Sequence, residues 1–578
     1  MASLNPFGLW RIASGRCRDG TRSQAFFWET NFIRQEIDIR FVSAFLAKIS
    51  TVKNLPHLIA PMALTALLIQ PSQAEVKPNP LFSDGAVLQR GQKIPVWGTA
   101  RDGEKVTVEI QGQKVSATAS GGKWSVRLAP LKEGEPLTMK IIGDNTVTVN
   151  DLLVGEVWVC SGQSNMEWSF SKAHNAKEEG PKANYPQIRM FTVKKTVALK
   201  PMDEATGSWA VCSPATVNGF SAVGYFFARD LHQKLGVPVG MLHTSWGGTP
   251  AQSWTSLEGF GNQPELQEYV SAAKQKLANY DADVAAYDAK MKVFQTQTQD
   301  WEEKVKAPFD AALLQWTKDA AKAKQASQPE PAKPVLTTPK PKPPGQPNAG
   351  PNHATGLYNG MVAPIIPYGI RGAIWYQGES NAGKAAQYRT LFPAMIADWR
   401  KRWDLGDFPF LFVQIAPFKG QPAEIREAQF LSLAAVKNSA MAVTTDVGNA
   451  NDIHPTQKEP VGQRLALAAR ALAYGEKIEY SGPLYDSMKA SSGKITLRFR
   501  HTGGGLVAKD GALKGFTIAG KDQKFVPAQA NIVGDTVVVS AAGVSDPAAV
   551  RYGWDNVPDV NLYNKEGLPA SPFRTDVK

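Results

Sequence analysis

Four short segments of this chain carry the residue types that acyl-transfer chemistry needs. Ser164 sits in Cys160-Ser-Gly-Gln-Ser-Asn-Met-Glu167, a glycine-bearing turn between an apolar strand and the start of a helix. Such a turn exposes a hydroxyl while the backbone N–H groups that follow point at bound substrate. Asn451-Asp452-Ile453-His454-Pro455 can supply a base and its orienting carboxylate from one loop, with His454 as base and Asp452 two residues upstream. Ser245-Trp-Gly-Gly-Thr-Pro250 offers a backbone N–H, that of Gly248, where a developing oxyanion could be approached closely. Tyr376-Gln-Gly-Glu-Ser-Asn381 offers the side-chain amides of Gln377 and Asn381 for the same purpose. Taken singly, the serine suits a helix cap, the glycines a left-handed turn and the histidine a structural role. Together they read as nucleophile, base, acid and oxyanion donors.

Other chemistries fit less well. Gly378-x4-Gly383-Lys384 mimics a phosphate-binding loop, but Ala385 stands where a magnesium-ligating Ser/Thr belongs. None of the seven histidines forms a metal-ligand pair such as H-E-x-x-H, and the proposed chemistry requires no cofactor. The net charge of +12 invites a nucleic-acid reading. Eight basic and four acidic residues fall in the first 74, so the remaining 504 carry a surplus of only eight, without a basic block. Nucleic acid is therefore not an expected partner.

The elements that must position these groups alternate in character. Residues 1–74 read as a leader, with a signal peptide over 48–74: Lys48 and Lys53, a twelve-residue apolar run 58–69, then Ser72-Gln73-Ala74. The run is too short for a stable membrane anchor. Export would leave Cys160 and Cys212 in an oxidising compartment, either bridged or as two buried thiols, while Cys17 leaves with the leader. Residues 75–150 show short alternating strands split by Gly/Asp turns, a small β-sandwich pattern. From 151 to 475 apolar strands alternate with amphipathic helices, as a parallel sheet covered on both faces requires. An insertion over 262–352 interrupts it. Leu277, Tyr280, Val284, Tyr287, Met291, Phe294, Thr298, Trp301 and Val305 form a heptad stripe, which Pro308 is expected to break into a helical hairpin. Nine prolines in 329–351 then predict an extended, mobile linker. Residues 476–578 return to β patterning as a second β domain.

In chain order the motifs run Ser…Gly…Gln/Asn…Asp-x-His, which resembles the SGNH hydrolase superfamily. Their wording is closest to the sialate O-acetylesterase family of carbohydrate esterases: Val157-Trp-Val-Cys-Ser-Gly-Gln-Ser-Asn-Met166, Trp246-Gly-Gly-Thr249, Gly372-Ala-Ile-Trp-Tyr-Gln-Gly-Glu-Ser-Asn381 and Asp452-Ile-His-Pro455. Leu81 to Arg90, Arg551 to Asp555 and Asn561 to Arg574 extend the resemblance outside the site. It implies an SGNH-like three-layer α/β/α domain flanked by β-sandwich-like domains. It also implies an exported esterase that removes acetyl groups from sugars, with an O-acetylated glycan or sialic acid as partner. Acetylated xylan or pectin is the alternative substrate, and a non-catalytic carbohydrate-binding protein the alternative class. Many SGNH enzymes place the acid three residues before the histidine, where this chain has Asn451. Asp452 is accordingly the choice, with Asp446 in reserve.

Overall fold

One long strand organises the molecule. The computed structural model describes residues 75–347 and 350–576, so the leader, the signal-peptide segment and Cys17 lie outside the described residues. Strand β1, Thr146–Gly162, begins among the N-terminal strands, pairing antiparallel with Leu137–Ile142, and ends in the central sheet. The chain thus runs unbroken through the 150/151 position where the sequence pattern changes.

The central sheet adds β2 (Tyr185–Thr192), β3 (Trp209–Cys212), β4 (Val239–Ser245), β5 (Gly372–Tyr376), β6 (Phe410–Val413) and β7 (Ser439–Ala442) in the order β3-β2-β4-β1-β5-β6-β7. All pairings are parallel except β3 with β2. The apolar runs seen in sequence follow from burial on both faces. Trp158, Cys160, Ile374 and Leu411 enter one core, while Val157, Val159, Trp375 and Phe412 enter the other. Helices α1 (Ala222–Leu235) and α7 (Glu459–Tyr474) cover the first face. Helices α5 (Ala385–Trp403) and α6 (Ala423–Ala435) cover the second. This is the three-layer α/β/α architecture expected. Ser221 caps α1 by accepting from Gly224 N–H at 3.1 Å, and its hydroxyl donates to the Met166 carbonyl at 2.6 Å. The same residue thus starts the helix and steadies the turn after Ser164.

The motifs outside the site fasten the β modules to this sheet. Glu156 on β1 is fully buried and pairs with Arg371 at 2.8 Å, with Arg90, and with Gln89 at 3.0 Å. The N-terminal strands share the hydrophobic core of the second face, whereas the C-terminal strands have a core of their own around Leu497, Ile518, Val537 and Tyr552. Arg574 clasps Glu427 of α6 at 2.7 Å, and Ser571 accepts from Gln414 at 2.9 Å.

The insertion departs from expectation. After α2 (Gln267–Ala278), α3 (Tyr280–Trp301), a π-turn Glu302–Lys306 and α4 (Ala307–Gln325) follow without leaving helical dihedrals. Residues 280–325 are therefore one helix about 69 Å long, not a hairpin. Pro308 falls at the first turn of α4, where the widened π-turn tolerates its missing N–H. The proline-rich return lies along this helix rather than hanging free. Trp316 Nε1 donates to the Pro331 carbonyl at 2.8 Å, and Trp301 Nε1 to the Thr338 carbonyl at 2.9 Å. The spacings agree: fifteen helical residues and seven polyproline-type residues each span about 22 Å. Among the described residues no helix is long and apolar enough to cross a membrane.

Candidate active site

Strands β4, β1 and β5 finish level with one another, Gly162 lying opposite Ser245 on one side and Tyr376 on the other. Their loops leave into the crevice outside the carboxyl edge, where α/β sheets hold ligands. Gly162 has φ +135°, and a Cβ there would lie 2.2 Å from the Tyr376 carbonyl oxygen, so only glycine lets β1 turn beside β5. Gln163 then accepts from Ser380 N–H at 3.2 Å, and Ser164 opens a one-turn helix, Ser164–Glu167.

The structure brings Ser164 and His454 together: His454 Nε2 lies 2.8 Å from Ser164 Oγ. Asp452 Oδ1 accepts the His454 backbone N–H at 2.8 Å and stands 3.6 Å from Nδ1. The longer distance exceeds a hydrogen bond, so Asp452 acts on the ring chiefly as a charge. Asp446 is spent elsewhere, in a forked pair with Arg464 at 2.7 and 2.6 Å. Trp168 stacks on the imidazole with centroids 5.4 Å apart and planes 21° from parallel. Burial holds His454 below its ordinary value; Lys458 and Lys172 add to this and the Asp452 carboxylate opposes it. The ring is thereby kept neutral, the form a base requires.

The oxyanion side differs in detail from the sequence reading. Gly247 is the glycine against Ser164, since a Cβ on it would lie 3.2 Å from Ser164 Cβ. Its N–H is already given to Glu167 Oε2 at 2.6 Å. Gly248 follows with φ +74°, and no acceptor meets its N–H or that of Ser164 among the described residues. Gln377 does not present a free amide, and Asn381 is half engaged. Gln377 Nε2 donates to Asn381 Oδ1 at 2.7 Å and to the Thr249 carbonyl at 3.3 Å. Asn381 Nδ2 donates to Gln252 at 2.9 Å, while its Oδ1 also takes Ala251 N–H at 2.8 Å. Both residues are buried and brace the loop that carries Gly248. The assignment of Gln377 as an oxyanion donor is corrected on that ground, since both its amide protons are engaged; Asn381 gives one of its two to Gln252.

A cavity of about 430 Å³ opens over the pair, walled by Ser164, Trp168, Lys172, Lys195, His243 and His454. Motif reading missed most of this wall. Lys195 pairs with Glu167 at 2.5 Å and stands over the Trp246 ring at 5.3 Å. Lys172 lies 5.5 Å over Trp168. His243 on β4 faces Ser245 Oγ at 2.5 Å, and burial pushes it down to about 4, so it is neutral. A basic residue spaced eight after Ser164 or four after His454 was the available signal, and neither spacing stands out without the fold. Cys160 and Cys212 are buried free thiols, each pushed up to about 12 by burial. The bridged alternative does not hold.

The family model described as "Carbohydrate esterase, sialic acid-specific acetylesterase" matches residues 154–312 and 351–471. The chain is similar to the sialate O-acetylesterase of Mus musculus, 28% identical over 536 residues that cover 83% of this chain and 90% of that one. Its similarity to the Homo sapiens sialate O-acetylesterase is 28% identity, with coverage of 83% and 88%. Among solved structures it is similar to a carbohydrate acetylesterase from Xanthomonas citri, with a TM-score of 0.70 and 35% identity. That match covers 87% of this chain and 100% of the other.

Proposed function

The chain belongs to the sialic acid-specific acetylesterase family of carbohydrate esterases and is a carbohydrate O-acetylesterase; from that premise we propose that it deacetylates sialic acids through an acyl-enzyme on Ser164. The observation that carries the mechanism is the 2.8 Å contact between His454 Nε2 and Ser164 Oγ at the floor of the cavity. Neutral His454 takes the serine proton as Oγ adds to the acetyl carbonyl. The oxyanion turns toward the free N–H groups of Ser164 and Gly248. The imidazolium, supported by the Asp452 charge, then protonates the departing sugar oxygen. Water, activated by the same ring, attacks the acetyl-serine and releases acetate.

The sialate assignment is supported by the activity printed for the mammalian relatives and by two lysines on the cavity wall. Lys172 places positive charge on that wall for a sugar carboxylate, beside Lys195 with its Glu167 partner. A second reading, an esterase for acetylated xylan or pectin, is favoured by the Xanthomonas citri relative, whose description names carbohydrate without a sialic acid. Acetate release from O-acetylated sialic acid, xylan and pectin at matched acetyl concentration separates the two. The sialate reading expects kcat/KM at least tenfold higher on the sialic acid and a loss of that margin in Lys172→Ala. Equal rates on all three, or a preference for xylan, would overturn it. The apolar run 58–69 and the small residues at 72–74 support export to the periplasm or beyond. Amino-terminal sequencing of the exported protein should then begin near Glu75.

A further inference from the structure

Beneath the nucleophile lies a buried chain of polar groups that the reaction as written does not use. Asn165, the residue after Ser164, is fully buried, and its amide reaches three partners. Its Nδ2 donates to Glu379 Oε1 at 2.7 Å and to the Ile453 carbonyl at 3.0 Å. Its Oδ1 accepts from Lys458 Nζ at 2.5 Å. Ile453 precedes His454 directly, so one amide ties the turn that carries the nucleophile to the loop that carries the base. Lys458 stands just before α7 with only 1% of its surface exposed. Its ammonium also lies 5.6 Å over Trp168, the ring stacked on His454, and 5.4 Å over Tyr376 at the end of β5.

An unpaired lysine at this depth is costly, because an ammonium removed from water loses several kcal/mol of hydration. Three features offset that cost. The Asn165 carbonyl satisfies one proton, two aromatic faces meet the charge, and Glu379 supplies a counter-charge across the Asn165 amide. Glu379 is itself buried, and its Oε2 has no hydrogen-bond partner among the described residues. A cationic head and a carboxylate held on opposite sides of one amide fix that amide's orientation, since a flipped amide would set NH2 against ammonium and carbonyl against carboxylate.

We propose that Lys458 is a positioning residue: acting through Asn165, with Glu379 as its counterpart, it fixes the separation of Ser164 from His454. It touches no reacting atom. Burial pulls Lys458 down to about 7 and pushes Glu379 up, so the clamp weakens when either charge is lost. Lys458 also works against charging of His454, alongside Lys172 and against Asp452. Lys195, Glu167 and neutral His243 complete the titratable groups around the same cavity.

This inference rests on the Ser164–His454 reading, and Lys458→Met in the full-length enzyme tests it with p-nitrophenyl acetate. The expected result is a ten- to hundredfold fall in kcat with KM within threefold, as a displacement of about 1 Å gives. The acid limb should also move to higher pH, because a cation that held His454 neutral is gone. Lys458→Gln keeps a donor for Asn165 without the charge. It should keep kcat within tenfold of wild type while showing the same acid-limb shift. If Lys458→Met does not fold, the Gln variant is read on the same two axes. Wild-type kcat with an unmoved acid limb in whichever variant folds would overturn the proposal. Ser164→Ala assayed in parallel separates the two claims: an inactive Ser164→Ala beside a fully active Lys458→Met removes only the role of Lys458.

Discussion

Replacing Asp452 by Asn should cost far less than the loss of a triad acid usually does, and the structure says by how much. Asp452 Oδ1 lies 3.6 Å from His454 Nδ1, and the two side chains are 54% and 31% exposed. Unit charges at that distance interact by about 1.2 kcal/mol in water and about 4.6 kcal/mol at a protein surface of effective dielectric near 20. A carboxylate more than half exposed sits toward the first figure, so about 1–2 kcal/mol is expected for the imidazolium formed in the transition state. That is a fall of about five- to thirtyfold in kcat/KM. A buried, hydrogen-bonded triad acid would lose roughly ten-thousandfold. The asparagine retains an oxygen for the His454 backbone N–H, now taken at 2.8 Å, so the loop should keep its shape. The sign of the pH effect follows from the same contact. Asp452 raises the histidine value, so its neutralisation lowers it further and moves the acid limb to lower pH. In wild type that limb should already lie below the ordinary histidine value of about 6.5. The assay is kcat/KM for p-nitrophenyl acetate over about four pH units around that value, roughly pH 4 to pH 8. A loss above a thousandfold, or an acid limb moved upward, would refute the account of Asp452 as a partly solvated charge.

Three further outcomes follow from the structure. Replacing residues 280–346 by a short Gly/Ser linker should leave kcat on p-nitrophenyl acetate within twofold, because the helix and its proline-rich return pack mainly on each other and Lys276 meets Pro347 at 2.9 Å; loss of folded protein would show that the insertion supports the sheet. Trp301→Ala removes a ring only 8% exposed and its bond to Thr338, so limited proteolysis within 329–347 should speed up at least tenfold while esterase activity stays constant. Cys160 and Cys212 should resist a thiol reagent in the native protein and react fully in denaturant, as read by peptide mass spectrometry; a Cys160–Cys212 peptide pair joined by a disulfide would contradict the buried thiols.

The parts of the site that sequence reveals are those where residue type alone limits the chemistry. Ser164 follows a glycine turn at a strand end, and Asp452-x-His454 sits in a loop, whereas Asp230-x-His232 repeats that spacing inside the amphipathic run 222–235. The alternating apolar strands gave the three layers for a comparable reason, since burial on both faces leaves continuous hydrophobic runs. Gln377 and Asn381 misled because an amide is a donor in sequence whatever it meets in space. Only the fold shows both Gln377 protons committed, to Thr249 and Asn381, and one Asn381 proton to Gln252. Asp452 and Asp446 are equally acidic in sequence, and the forked Arg464 pair decides between them. Pro308 carries the same lesson at the scale of an element. A proline breaks a helix interior but not a first turn, and the π-turn that makes room for it leaves no mark in the heptad pattern. Lys458 was invisible because a lone lysine four residues past a histidine reads as surface until its partners surround it.

The central claim is that Ser164 is the nucleophile, and covalent labelling tests it most directly. The enzyme would be inactivated with a fluorophosphonate, which phosphonylates an activated serine hydroxyl, and then mapped by peptide mass spectrometry. A single adduct on Ser164, formed in step with loss of acetate release and absent from Ser164→Ala, is the expected result. Inactivation with the adduct on another residue, or a Ser164→Ala variant that still releases acetate at the wild-type rate, would contradict it.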